Sequence, residues 1–361
     1  MEKVDIFDGH NDAILSITDY TADGRDFLVR SERGHLDLPR AREGKMVGGL
    51  FAISAHPDIE PKDDLTITHK GYEVRYADAL DPEQARLQID RQVSALKTLI
   101  ERAKGQIRLV CRVDDITAAL DVSALAVVLH MEGAEAIDLD LSYLDTLYDH
   151  GLRSLGLVWS RPNAFGYGVP FAYPWSPDTG PGLTDAGKRL VKRCNALGIM
   201  IDISHLNERG FWDVAALSTA PLVATHACAH AVCPSTRNLT DRQLHAIRDT
   251  DGVVGMNLSV NDVRADGNLD DDTSLEVVVR HIEYLVSRMG IDRVALGSDF
   301  DGAVIPREIK DASGLPRLID AMRRAGFSET DLRKFAFDNW LRVFGLTWKE
   351  GKSSARSNGA Y

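Results

Sequence analysis

The chain has 361 residues, 44% hydrophobic and 27% charged, which suits a soluble enzyme with a sizeable core, built as one large α/β barrel or two average domains. A formal net charge of -12 argues against nucleic acid and anionic membrane as partners. Four cysteines are too few for a disulfide scaffold, the first residues carry no signal-peptide pattern, and no run of about eighteen apolar residues occurs, so a cytoplasmic protein with reduced, mostly buried thiols is expected.

Val4, Ile6 and Phe7 make a short run of strand type that stops at Asp8-Gly9 and then offers His10 and Asp12. Residues two apart in a strand share a side, so this imidazole and this carboxylate can aim at one point. A second strand is expected over 47–54, and a polar, irregular insertion over 55–80. A helix over 82–103 carries Ile89, Val93, Leu96 and Ile100 on one face. The third strand, 125–129, runs into His130-Met131-Glu132-Gly133. A helix over 141–148 precedes a fourth strand at 153–159, and an aromatic, Gly/Pro-rich loop fills 160–182. A loop this long is usually functional.

Thr184 caps a helix that reaches about residue 197. The fifth strand, 199–204, delivers His205, and after a helix over 208–217 the sixth, 221–225, delivers His226. A helix at 241–248, a seventh strand at 252–257 and a helix at 274–289 follow. The eighth strand, 293–297, delivers Asp299. Helices over 314–325 and 329–344 and a polar tail, 346–361, end the chain.

Eight strands alternating with helices, most with a polar residue just past the C-terminal end, are the signature of a (β/α)8 TIM barrel, here one catalytic domain over 1–345. The rival is a doubly wound open sheet, but no Gly-x-Gly-x-x-Gly follows the first strand. The strand ends present His10, Asp12, Glu132, His205, His226 and Asp299. A catalytic zinc takes three protein ligands of nitrogen and oxygen type, so five ligands suit two ions that share a carboxylate and a hydroxide. Asp299 is then free for proton transfer. Taken singly, each residue has a plainer reading: a turn carboxylate, a helix-cap neighbour or a buried hydrogen-bonded histidine. The spacing from His226 to His230 is a weak zinc-pair signal, and Asp299 with Asp301 lacks the calcium-loop spacing.

Six segments resemble the membrane (renal) dipeptidase family of zinc metallopeptidases, amidohydrolase-like barrels of the metallo-dependent hydrolase type. They are DGHND at 8–12, MEG at 131–133, DISH at 202–205, ATH at 224–226, RNLTD at 237–241 and GSDFDG at 297–302, in family order. The resemblance implies that His10 and Asp12 bind one Zn2+, His205 and His226 a second, and Glu132 bridges the two. It further implies that Arg237 holds the substrate's terminal carboxylate, that Asp299 moves the proton, and that the protein is a homodimer. The plain reading of Arg237 is a surface arginine beside a helix. The activity implied is hydrolysis of dipeptides, including L-Xaa-D-Xaa or N-acyl amino acids, by a hydroxide held between the metals.

One position departs from the family pattern: Trp159 stands where a histidine is usual. Indole has one N–H donor and carries no charge. Either Trp159 donates weakly, or Arg161 or Asn163 substitutes, or the substrate binds differently; His150, on a helix, is a poor replacement. The aromatics Phe165, Tyr167, Phe171, Tyr173 and Trp175 are expected either to wall the substrate pocket or to pack a subunit interface. Two competing functions remain open. One is a related binuclear amidohydrolase acting on another small or cyclic amide. The other is a silent barrel serving as a scaffold, whose mark would be missing ligands.

Overall fold

In chain order the strands are β1 (Ile6–Asn11), β2 (Met46–Ser54), β3 (Leu65–Ile67), β4 (Tyr72–Val74), β5 (Ile107–Leu109), β6 (Leu125–Glu132), β7 (Leu152–Gly156), β8 (Ala172–Tyr173), β9 (Met200–Asp202), β10 (Val223–Ala227), β11 (Val253–Met256) and β12 (Val294–Leu296). The computed structural model describes residues 4–17, 24–57 and 65–349. Eight of these strands pair side by side in the order β1-β2-β6-β7-β9-β10-β11-β12, every pair parallel. The last gap is bridged beyond the strand ends. Asn11 pairs with Phe300, Asp12 N–H donates to the Phe300 carbonyl at 2.8 Å, and Asp299 N–H donates to the His10 carbonyl at 3.0 Å. The eight expected strands thus form a parallel barrel with helices outside it.

Alternation along each strand sorts side chains between two cores. Ile6, Phe51 and Val127 face the helical shell, while Phe7, Leu50 and Val128 fill the lumen. The helix Asn339–Thr347 plugs the lower lumen with Trp340 and Phe344, and the Trp340 indole N–H donates to the Leu296 carbonyl at 2.9 Å. Continuing up β6 by twos from Val128 gives His130 and then Glu132. The same period that packs the floor therefore aims a carboxylate into the mouth.

Several elements differ from the sequence expectation. The 55–80 segment is not wholly irregular: β3 and β4 form a hairpin, and β4 pairs with β8 from the aromatic loop in a second, antiparallel sheet. Residues 58–64 lie outside the described residues, as does most of the expected tail. The fourth strand ends at Gly156, so Trp159 lies past it. The helix expected over 329–344 is broken by a π-helical turn, Lys334–Asp338. That turn aims Asn339 at the barrel, where its amide donates to the Ile291 and Val294 carbonyls at 2.7 and 2.8 Å. Thr184 caps its helix as expected, accepting from Gly187 N–H at 3.1 Å. All four cysteines are free, three of them buried. Among the described residues no helix is long and apolar enough to cross a membrane.

Candidate active site

Five side chains from four strands meet at the C-terminal mouth of the barrel. One Glu132 oxygen lies 3.0 Å from His205 Nε2, 3.5 Å from His226 Nε2 and 3.7 Å from His10 Nε2. His10 Nε2 is 3.5 Å from Asp12, and Asp299 joins that pair within 4.8 Å. The Nε2 atoms of His205 and His226 are 3.0 Å apart. Glu132 therefore stands between a His10–Asp12 side and a His205–His226 side. His205 and Asp299 both sit at positive φ, +65° and +59°, outside the region most residues adopt. Such backbone is held where the surroundings over-determine it, as at functional sites. Gly302 leaves room beside them, because a β-carbon there would displace the carboxylates of Asp12 and Asp299.

Partners behind the site orient the imidazoles. Thr225 donates its hydroxyl to Asp202 at 2.6 Å, so its oxygen is left to accept from His226 Nδ1 at 2.9 Å. That puts the His226 proton on Nδ1 and leaves Nε2 as a bare lone pair facing Glu132. Ser160 Oγ pairs with His205 Nδ1 at 2.8 Å. The Asn257 amide donates to one Asp299 oxygen at 3.0 Å. Asn257, Ser160, Thr225 and Asp202 were missed from sequence as site residues. Only the Asp-x-Ser-His and Thr-His adjacencies could have hinted at the last two.

Charge tells the same story. His205 and His226 are pushed well below the ordinary histidine range by burial first and then by Arg237 and His10, so they stay neutral. His10 moves the other way. Burial disfavours its charge, but Glu132 and Asp12 outweigh that and raise it to about 10. Burial also raises Glu132 to about 8, and Asp299 shifts upward for the same reason. The cluster is short of positive charge. Both ring nitrogens of His10 are buried without a hydrogen-bond partner among the described residues. Orphaned nitrogens, neutral imidazoles and crowded carboxylates suit divalent cations of the zinc type.

Above the cluster opens a cavity of about 630 Å³, lined among others by Asp12, Glu132, Trp159, His205, Arg237 and Asp299. Arg237 is buried, hydrogen-bonded to the His226 carbonyl at 3.4 Å, and forms no ion pair among the described residues. That is the setting for an anionic group to enter. Trp159 lines the cavity, tilted over His205 with ring centroids 5.8 Å apart. Arg161 does not reach the cavity. It stacks behind Trp159 at 4.6 Å and donates to the Ala55 carbonyl at 2.9 Å. Asn163 is also placed elsewhere: its amide holds the Leu157 carbonyl and the N–H groups of Phe165 and Gly166, which shapes the loop. His150 lies apart, beside Lys97. Of the five loop aromatics only Phe171 lines the cavity. Phe165 is core, Tyr173 stacks on Tyr72, and Trp175 is exposed.

Comparison with known proteins agrees with this geometry. A model of the membrane dipeptidase family, peptidase family M19, matches residues 1–357. A Klebsiella pneumoniae protein encoded 5' of pqqA is 50% identical over 260 residues, 72% of this chain and 96% of its own. An Acinetobacter calcoaceticus protein encoded in the PQQ-III 3' region is 40% identical over 289 residues, 79% of this chain and 90% of its own. Among solved structures, dipeptidase AC, a metallopeptidase of family M19, is 45% identical with a TM-score of 0.89, covering 96% of this chain and 99% of its own. A Rhodobacter sphaeroides metallopeptidase, solved with a phosphinate mimic of the dipeptide L-Ala-D-Ala, is 43% identical with a TM-score of 0.88, covering 96% and 100%.

Proposed function

The chain belongs to the membrane dipeptidase family of metallopeptidases, and from that premise we propose that it is a zinc-dependent dipeptidase cleaving L-Xaa-D-Xaa dipeptides and related N-acyl amino acids. The observation that carries this reading is the single Glu132 oxygen 3.0 to 3.7 Å from three imidazole nitrogens, two of them on histidines kept neutral. In it, His10 and Asp12 would hold one ion, His205 and His226 the other, and Glu132 would be shared by both. When bound, the two ions supply a water that ionises near neutral pH and polarise the scissile carbonyl.

This chain's own residues do the rest. Arg237 pairs through its planar fork with the substrate's terminal carboxylate, which sets the distance from that carboxylate to the bond cut. Asp299, one oxygen held by Asn257, takes the proton of the attacking water and passes it to the leaving amine. Trp159 covers the His205 side and excludes water from it. The same reading includes a homodimer in the cytoplasm, and light scattering tests the dimer.

The second reading, a related amidohydrolase on another small or cyclic amide, is favoured by the flat apolar face of Trp159 where an ionisable histidine is usual. Turnover on a stereochemically complete dipeptide panel and a cyclic-amide panel, with zinc supplied and bound metal counted, separates the two. Cleavage of L-D dipeptides with about two metals per chain is expected. Turnover of cyclic amides alone would replace the first reading by the second.

A further inference from the structure

The β3–β4 hairpin shows one feature that a dipeptide of small residues does not need. Its register pairs Leu65 with Val74 and Ile67 with Tyr72. Residues two apart share a face, so Leu65, Ile67, Tyr72 and Val74 make one apolar face, with Thr66 and Glu73 on the other. All four line the cavity above the catalytic cluster. Leu65 and Ile67 are nevertheless 58% and 74% exposed, and Leu269 and Val304, which line the same cavity, are 68% and 42% exposed. Ten large hydrophobic side chains are exposed among the described residues, and these four of the ten ring one mouth. Scattered exposed apolar residues need no explanation, but a ring of them over a reactive centre does.

We propose that this ring is the subsite for a bulky apolar side chain, or acyl chain, on the carbonyl side of the bond cut. The inference rests on the dipeptidase reading and narrows its substrate class. The carboxylate end of the substrate is taken by Arg237. Leu15 and Val304 follow closely in sequence on Asp12 and Asp299, so these two apolar lining residues stand by the His10–Asp12–Asp299 end of the cluster, whereas Arg237 is bonded to the His226 carbonyl at the other end. A cavity of about 630 Å³ is of the size that takes a drug-sized ligand, well beyond two alanines. Continuity of the apolar face with the cavity floor, through Tyr72, Trp159 and Phe171, makes the substrate itself the occupant.

Burying a leucine or phenylalanine side chain is worth on the order of tenfold to a hundredfold in kcat/KM when the burial is kept in the transition state. The test compares Phe-Ala, Ala-Phe and Ala-Ala, each in the stereochemistry the zinc-loaded enzyme cleaves. Phe-Ala is expected to exceed both others by tenfold or more. In the Leu65→Ser/Ile67→Ser double variant, and separately in Leu269→Ser, the ratio of Phe-Ala to Ala-Ala is expected to fall toward one. Dipeptide cleavage with no preference for Phe-Ala, or a preference for Ala-Phe, would overturn the subsite and leave the dipeptidase reading standing. A ratio unchanged in both variants would also overturn it, and a simultaneous change from dimer to monomer by light scattering would reassign the ring to a contact between copies. Failure of the wild type on every dipeptide would overturn both readings.

Discussion

Asp8 on β1 and Ser298 just past β12 grip one another across the barrel seam. The Ser298 N–H donates to one Asp8 oxygen at 2.7 Å and its hydroxyl to the other at 2.8 Å. Both residues are fully buried, and they stand 290 positions apart. The bonds tie the segment bearing His10 and Asp12 to the turn bearing Asp299. Ser298→Ala removes the hydroxyl and keeps the backbone bond. It is expected to lower stability to urea at neutral pH by about 1.5–3 kcal/mol, the worth of a buried hydrogen bond to a charged group. A loss under about 0.5 kcal/mol, the size of an ordinary surface change, would remove the seam from the account of stability.

Asp299→Asn keeps the shape of the side chain and its bond to Asn257, because a carboxamide oxygen still accepts. It removes only the ability to carry a proton. Two zinc ions per chain are expected to remain, while kcat falls about a hundredfold to ten-thousandfold. Loss of one metal together with activity would instead make Asp299 a ligand, which its closeness to His10 and Asp12 allows.

Arg237→Ala is expected to lower kcat/KM on free-carboxylate dipeptides by about tenfold to a hundredfold, matching about 1.5–3 kcal/mol for charge-assisted bonds. Dipeptide amides have no charge for the guanidinium to meet, so they should lose much less. Equal losses on both would reject the carboxylate role.

What was legible in the sequence follows from burial. The barrel strands are buried on both faces, so they stand out as short apolar runs, and the site residues sit directly after them. The β3–β4 hairpin did not stand out, because its strands are three residues long and its apolar side chains face an opening. The sequence puts Trp159 at the end of a strand and offers Asn163 as one substitute for the histidine usual there. The chain leaves the barrel at Gly156, and from there the loop's own backbone groups take the Asn163 amide. The pairing of Arg25 with Asp301, 276 positions apart, fixes the turn that carries Asp299 and has no local signal at all.

The hydroxyls behind the imidazoles should control metal affinity, not chemistry. Thr225→Val and Ser160→Ala leave His226 and His205 in place but free their rings to turn. Each is expected to weaken zinc binding about tenfold to a hundredfold, read by competition with a chelator, with kcat largely restored at saturating zinc. Unchanged affinity in both variants would mean that packing alone orients the rings.

His281 gives the clearest pH dependence outside the metal cluster. Its Nε2 lies 2.8 Å from the Val263 carbonyl and must carry the proton, while Nδ1 accepts from Ala229 N–H at 3.3 Å. A second proton would face that N–H in a buried site. Burial first, and Arg280 in a smaller part, lower its pKa to about 4 although the Val263 bond opposes the shift. The unfolded chain takes up that proton near pH 6.5, before the folded protein does. The contribution is therefore intact above about pH 6.5 and is lost as pH falls toward 4, by about 3 kcal/mol in all. His281→Gln keeps a donor for Val263 and does not titrate. Urea unfolding from pH 7 to pH 4 is expected to show the wild type losing up to about 3 kcal/mol more than the variant. Acid release of metal acts on both proteins alike and cancels in that difference, so parallel curves would mean that His281 does not set the acid limit.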